Sequence, residues 1–132
     1  MLRVPKVLLL MCDADERATL QKVLEPHAEL TCVFTPQEMA EQLERASYDA
    51  LFCARSICMG SWREVLEEVG QFYPHLPAII VSRTADDREW LEVLQAGGFD
   101  LLGPPYHERM LLSVLEQAVR LWCGKTSPQK SR

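Results

Sequence analysis

Three short runs set the terms for this chain: VLLLM from Val7, ALFCA at Ala50–Ala54 and AIIV at Ala78–Val81, each apolar at every position. A strand with one wet face alternates apolar and polar residues, so a strand that is apolar throughout must be covered on both faces, as in a parallel sheet. Short β-like runs alternate along the chain with longer amphipathic stretches, the reading order of a repeated βα unit. Five of each are countable. The strands fall at Lys6–Cys12, Glu29–Phe34, Ala50–Ala54, Ala78–Ser82 and Phe99–Leu102, with the first, third and fourth at the sheet centre.

The helix starts are legible. TPQE at Thr35 places a capping hydroxyl, a proline in the first turn and a glutamate three residues past the cap; SWRE at Ser61 and TADD at Thr84 repeat the cap-to-acid spacing. The first helix runs from Asp13, its cap, with Glu16 three residues on, to about Glu25 before Pro26. Gly97 and Gly98 close the fourth. The fifth, His107 to about Trp122, carries Met110, Leu111, Val114, Leu115, Ala118, Leu121 and Trp122 over an arc of roughly 200°, about twice what packing on a sheet requires. Trp90 on the fourth helix falls outside the buried face expected of Leu91 and Leu94. Trp90, Met110, Val114 and Leu121 therefore mark a candidate interaction surface on the fourth helix, fifth strand and fifth helix, suited to a protein partner or a homodimer.

With 132 residues, core-forming segments over 1–123 and a polar tail over 124–132 expected to be disordered, the chain has room for a single domain. A net charge of −5 disfavours direct contact with nucleic acid. The longest apolar run, Val7–Met11, is far too short to span a bilayer, and residues 1–6 lack the features of a signal peptide, so a cytoplasmic protein away from membranes is expected. Five cysteines at irregular spacing do not read as a disulfide framework, and without a CxxC pair or clustered histidines no metal site is expected. There is no GxSxG elbow, GxGxxG turn or Walker loop, and MCDADER after the first strand offers no glycine to cradle phosphate; no cofactor and no enzymatic activity are expected.

Laid out in this way, residues from about Val4 to Trp122 resemble the receiver domain of two-component response regulators. LLMCDADERATLQKVLE, with Arg17, Leu20 and Leu24, stands where receivers carry their acidic cluster and first helix; YDALFCARSICMG matches the third strand and its loop, LPAIIVS the fourth strand with its terminal hydroxyl, and AGGFDLLGPPY the fifth strand with its proline turn. The resemblance implies an α/β fold, a doubly wound five-stranded parallel sheet in order 2-1-3-4-5 with helices on both faces and a crevice beyond the carboxyl ends of the central strands.

It also implies what is missing. Ala54 stands where receivers carry the aspartate that accepts a phosphoryl group, Met11 and Cys12 where the metal-holding acids stand, Pro104 in place of the lysine and Leu101 in place of the switch aromatic. Of the acidic cluster Asp13 remains; Ser82 matches the hydroxyl position and Pro105 the proline whose preceding peptide is typically cis. A thioether and a thiol are poor ligands for magnesium, and phosphoryl transfer needs a nucleophile, a metal and a cation together. The expectation is a pseudo-receiver of the phosphorelay class that signals through a protein partner, whether kinase, regulator or effector.

Several residues carry more than one reading. Asp13 serves as a helix cap or as a surviving metal ligand; Arg83 is an exposed loop residue or a fixed cation that fills the crevice and pairs with Asp13. Cys12 and Cys58 project toward the crevice mouth, which suggests either packing or a thiol-based redox sensor with Cys58 the more reactive. A further alternative is a receiver segment of a longer histidine kinase or regulator.

Overall fold

In the computed structural model, which describes residues 4–121, the three apolar runs occupy the middle of one sheet. The strands β1 (Lys6–Leu10), β2 (Glu29–Val33), β3 (Ala50–Ala54), β4 (Ala78–Val81) and β5 (Asp100–Leu102) pair in parallel in the order 2-1-3-4-5, as expected. Between and after them run α1 (Ala14–Leu24), α2 (Pro36–Arg45), α3 (Trp62–Phe72), α4 (Asp87–Gln95) and α5 (Glu108–Leu121). Every residue of β3 and β4 is buried, whereas the edge strand β2 buries only Val33.

Alternation along each strand divides the core into two layers. Val7, Leu9, Phe52, Ile79 and Val81 pack with Leu20 and Leu24 of α1 and with Leu111, Val114, Leu115 and Ala118 of α5. Leu8, Leu10, Leu51, Cys53 and Ile80 face Met39 of α2, Val65, Leu66 and Val69 of α3, and Val93 of α4. Each fully buried leucine or isoleucine contributes about 1.5–3 kcal/mol relative to exposure, so the two layers together hold the sheet in place.

The caps refine the expected boundaries. Asp13 accepts the Glu16 N–H at 3.0 Å, and Ser61 and Glu64 form a reciprocal capping box at 3.2 and 3.1 Å. Thr35 accepts the Glu38 N–H at 3.1 Å, but the Glu38 carboxylate accepts from Phe34, one residue before the cap, at 2.7 Å. The fourth helix departs from expectation: its cap is Asp86, boxed with Glu89 at 2.8 and 3.1 Å, and not Thr84. TADDRE offers two overlapping cap-to-acid pairs, and the second prevails because the Thr84 hydroxyl donates to Glu89 at 2.8 Å. Gly97, at φ +100°, supplies the left-handed residue that ends α4.

β1 and β4 stop at Leu10 and Val81, leaving Met11, Cys12 and Ser82 on the exits from the sheet, and β5 begins at Asp100. On α4 the buried residues are Glu89 and Val93, while Leu91 is exposed, contrary to the expected Leu91–Leu94 face; the register is set by the inward turn of Glu89. Of the candidate interface, Trp90 and Leu121 are exposed and Met110 is half-buried, but Val114 is 8% exposed and belongs to the core, because α5 lays a four-residue stripe on the sheet. Trp122, Cys123 and the tail 124–132 lie outside the described residues. Among the described residues no helix is long and apolar enough to cross a membrane.

Candidate functional site

Because all five strands run the same way, the loops after β1, β3 and β4 converge on one edge of the sheet. They enclose a crevice of about 430 Å³ lined by Asp13, Glu16, Arg55, Ser56, Val81, Ser82, Arg83 and Thr84. Ala54, the last residue of β3, is buried beneath it among apolar neighbours. Met11 is fully buried, Leu101 is buried in β5, and Pro104 and Pro105 are exposed with the peptide between them cis.

Two charged groupings wall the crevice. Arg83 pairs with Asp13, the bridge anticipated as one reading of Arg83. The Asp13 carboxyl is held below its ordinary pKa, first by the Glu16 N–H it accepts and then by the Arg83 cation, against a partial loss of solvent. Asp13 thus acts as cap and counter-ion at once. Burial pushes Glu16 upward despite the hydrogen bond it accepts from the Tyr106 hydroxyl at 3.2 Å. The Tyr106 hydroxyl is raised in turn, by burial and then by Glu16.

The second grouping centres on Glu89, only 7% exposed. Its carboxylate accepts from the Ser82 hydroxyl at 3.1 and 3.3 Å, from Thr84 at 2.8 Å and from the Asp86 N–H at 3.1 Å, and it pairs with the Arg55 guanidinium at 3.2 Å. Arg55 also reaches Glu92 at 3.6 Å and lies over the Trp62 ring at 5.8 Å. The Ser82 oxygen accepts the N–H groups of Thr84 and Ala85 at 3.2 and 3.3 Å, and Ala85 takes a left-handed φ of 36° that an alanine adopts only when its surroundings impose it. Both the proton and the lone pairs of Ser82 are therefore engaged.

Sequence reasoning placed Asp13, Ser82 and Arg83 together and the structure does bring them to one crevice, but it did not find Glu89, Thr84, Glu16 or Tyr106. The pair Asp86-x-x-Glu89 carried the available signal, since a capping box there turns Glu89 toward β4.

The cysteines require a correction. Cys12 and Cys58 form a disulfide, with Cα atoms 6.2 Å apart and a separation of 46 positions in sequence, so for these two the reading as packing residues fails. Spacing alone gave no hint of it, because the adjacency of β1 and β3 makes the contact, but the receiver likeness had already placed both sulfurs at the crevice mouth as a candidate thiol pair. Cys53 is buried in β3 and its thiol is pushed to about 12 by burial; Cys32 is half-buried and raised for the same reason.

The divalent metal implied by the receiver likeness does not fit the groups present. One of its expected ligand positions is a fully buried thioether, another a bridged sulfur, and the remaining carboxylate is engaged by Arg83 and a backbone N–H. Among the described residues no three His, Cys, Asp or Glu side chains are grouped to hold a metal ion.

No family model matches the chain, and no curated protein does. Solved structures match closely in shape. A two-component response regulator from Clostridium difficile superposes with a TM-score of 0.79 at 19% identity, over 91% of this chain and 99% of that one. The receiver domain of an HD domain-containing protein from Pseudomonas fluorescens gives 0.78 at 22% identity over 89% and 95%. The BeF3-activated DrrB receiver domain gives 0.77 at 14% over 89% and 98%. Sheet order and helix placement agree with these neighbours: the chain has the receiver-domain fold of two-component response regulators.

Proposed function

We propose that this protein is a pseudo-receiver: a non-enzymatic cytoplasmic signalling module that keeps the receiver scaffold, is not phosphorylated at the usual position and acts through contact with a protein partner. The observation that carries the reading is the state of the crevice. The end of β3 presents buried Ala54 in place of a carboxylate, and Ser82, whose hydroxyl matches the one receivers place beside the phosphoryl group, is bound to Glu89. A phosphoryl group would find no nucleophile there, and both cations that line the crevice are already paired, Arg83 with Asp13 and Arg55 with Glu89. The exposed Trp90, Leu91, Val119 and Leu121 of α4 and α5 supply apolar surface for a partner or for a second copy of the chain. The same module also suits a place within a longer kinase or regulator.

Incubation with acetyl phosphate and magnesium, followed by intact mass measurement, tests the reading. No phosphoryl adduct is expected, nor for Ala54→Asp, since a carboxylate alone restores neither metal nor cation; a stoichiometric adduct on the native chain overturns the proposal.

A second reading, thiol-based redox sensing through Cys12 and Cys58, is favoured by the bridge these residues form. In a reducing compartment such bridges are usually transient and serve regulation rather than framework stability.

A further inference from the structure

The four described cysteines fall into two chemical kinds. Cys53 is fully buried with its thiol pushed to about 12, and the Cys32 sulfur, half-buried, accepts from the Gln21 amide at 3.2 Å; neither offers a reactive thiolate. Cys58 is exposed on the loop that follows β3, and its bridged partner Cys12 is half-buried at the crevice mouth. The two sulfurs join the segments that contribute Asp13 and Ser56 to the crevice wall.

The loop has few other restraints. At one end Arg55 is fastened by its N–H to Val81 at 2.8 Å and by its guanidinium to Glu89; at the other Ser61 caps α3. Among the described residues, 56–60 make no hydrogen bond of their own, and Ser56, Cys58, Met59 and Gly60 are exposed while Ile57 packs partly into the core. Gly60, at φ +79°, takes a backbone conformation that residues with a side chain rarely adopt and provides a pivot. The bridge is thus the strongest tether between Arg55 and α3.

We propose that Cys12 and Cys58 are a reversible thiol–disulfide couple that sets the order of the loop 56–60 and with it the rim of the crevice, exchanging with a small thiol of the glutathione class. The inference rests on the redox reading of the bridge. A thiolate of the small thiol attacks the exposed Cys58 sulfur, forming a mixed disulfide as the Cys12–Cys58 bond breaks. The electron pair goes to the Cys12 sulfur, just before the amino terminus of α1, where unpaired amides favour negative charge, and a proton from solvent follows. A second small thiol then attacks the mixed disulfide, releasing the oxidised small disulfide and the Cys58 thiol. Two thiols are oxidised to one disulfide, and one bridge is reduced to two protein thiols. Freed, the loop pivots at Gly60 and carries exposed Met59 with it.

Equilibration of the whole chain with graded reduced and oxidised glutathione, alkylation and peptide mapping measures the couple, and backbone relaxation by NMR measures the loop in both states. The bridge is expected to open over cellular glutathione ratios with the fold intact. Order parameters of residues 57–60 should fall from near 0.85 to below about 0.6 while β3 and β4 stay rigid. Cys58→Ser should show the reduced behaviour under every condition. A bridge that opens only with unfolding overturns the redox reading itself; a bridge that opens without loosening 57–60 overturns the loop inference alone.

Discussion

The two charged walls of the crevice are built on opposite plans. Arg83–Asp13 joins side chains that are 70% and 35% exposed, whereas Arg55–Glu89 joins one at 37% to one at 9%. The exposed pair is screened by water and salt and holds two flexible groups in one geometry at an entropic cost, so it contributes little to stability. The buried carboxylate was removed from water and is compensated by hydroxyls, a backbone N–H and a guanidinium, so each partner depends on the others. The comparison separates what fixes the crevice from what merely occupies it. Ser82, bound to Glu89 through its hydroxyl, is part of the fixed wall.

The sharpest way to break the comparison is Glu89→Ala. It leaves Arg55, Ser82, Thr84 and the Asp86 N–H without their shared acceptor, and a loss of about 3 kcal/mol in urea unfolding is expected. In a double-mutant cycle Ser82→Ala should lose most of its own effect once Glu89 is gone, with a coupling of about 1 kcal/mol; additivity would show that the two do not form one network. Arg83→Ala, by contrast, should leave the urea midpoint unchanged within error at physiological salt, and a large shift would place the exposed wall among the structural elements.

The smallest expected effect is a pH dependence. Asp13 has a folded pKa below its ordinary 3.8, so its contribution is present above that value and is lost as pH falls through the folded pKa. Asp13→Asn keeps an acceptor for the Glu16 N–H and removes the charge. Below pH 3.8 the native chain should therefore lose stability more steeply than Asp13→Asn. Glu16, raised by burial, works in the opposite sense: its contribution is complete below 4.5 and is lost as pH rises through the folded value. The steeper acid limb of the native chain is thus assignable to Asp13.

Much of the scaffold was legible because its signals are local. VLLLM, ALFCA and AIIV declare buried strands by their own composition, and Asp13, Thr35 and Ser61 cap helices within four residues of themselves. Where local signals competed, reading along the chain went astray. TADDRE holds two equivalent caps, and the choice of Asp86 depends on Ser82 and Arg55 receiving the Glu89 carboxylate, groups that lie seven and 34 residues away. The burial of Val114, counted as surface from the breadth of the α5 arc, likewise depends on which stripe of that helix meets the sheet.

By itself, the order of apolar runs and caps determined an alternating α/β chain, and, through the receiver likeness, the identities of Met11, Cys12, Ala54 and Pro104 raised the expectation of a crevice without the usual carboxylates and lysine. Which remaining groups meet was decided only in three dimensions. The Cys12–Cys58 bridge and the Arg83–Asp13 pair span 46 and 70 residues, and parallel strands bring such distant loops to one edge. Periodicity and capping act within a few residues through the backbone, but bonds and charges act through space, and the folded sheet sets those distances.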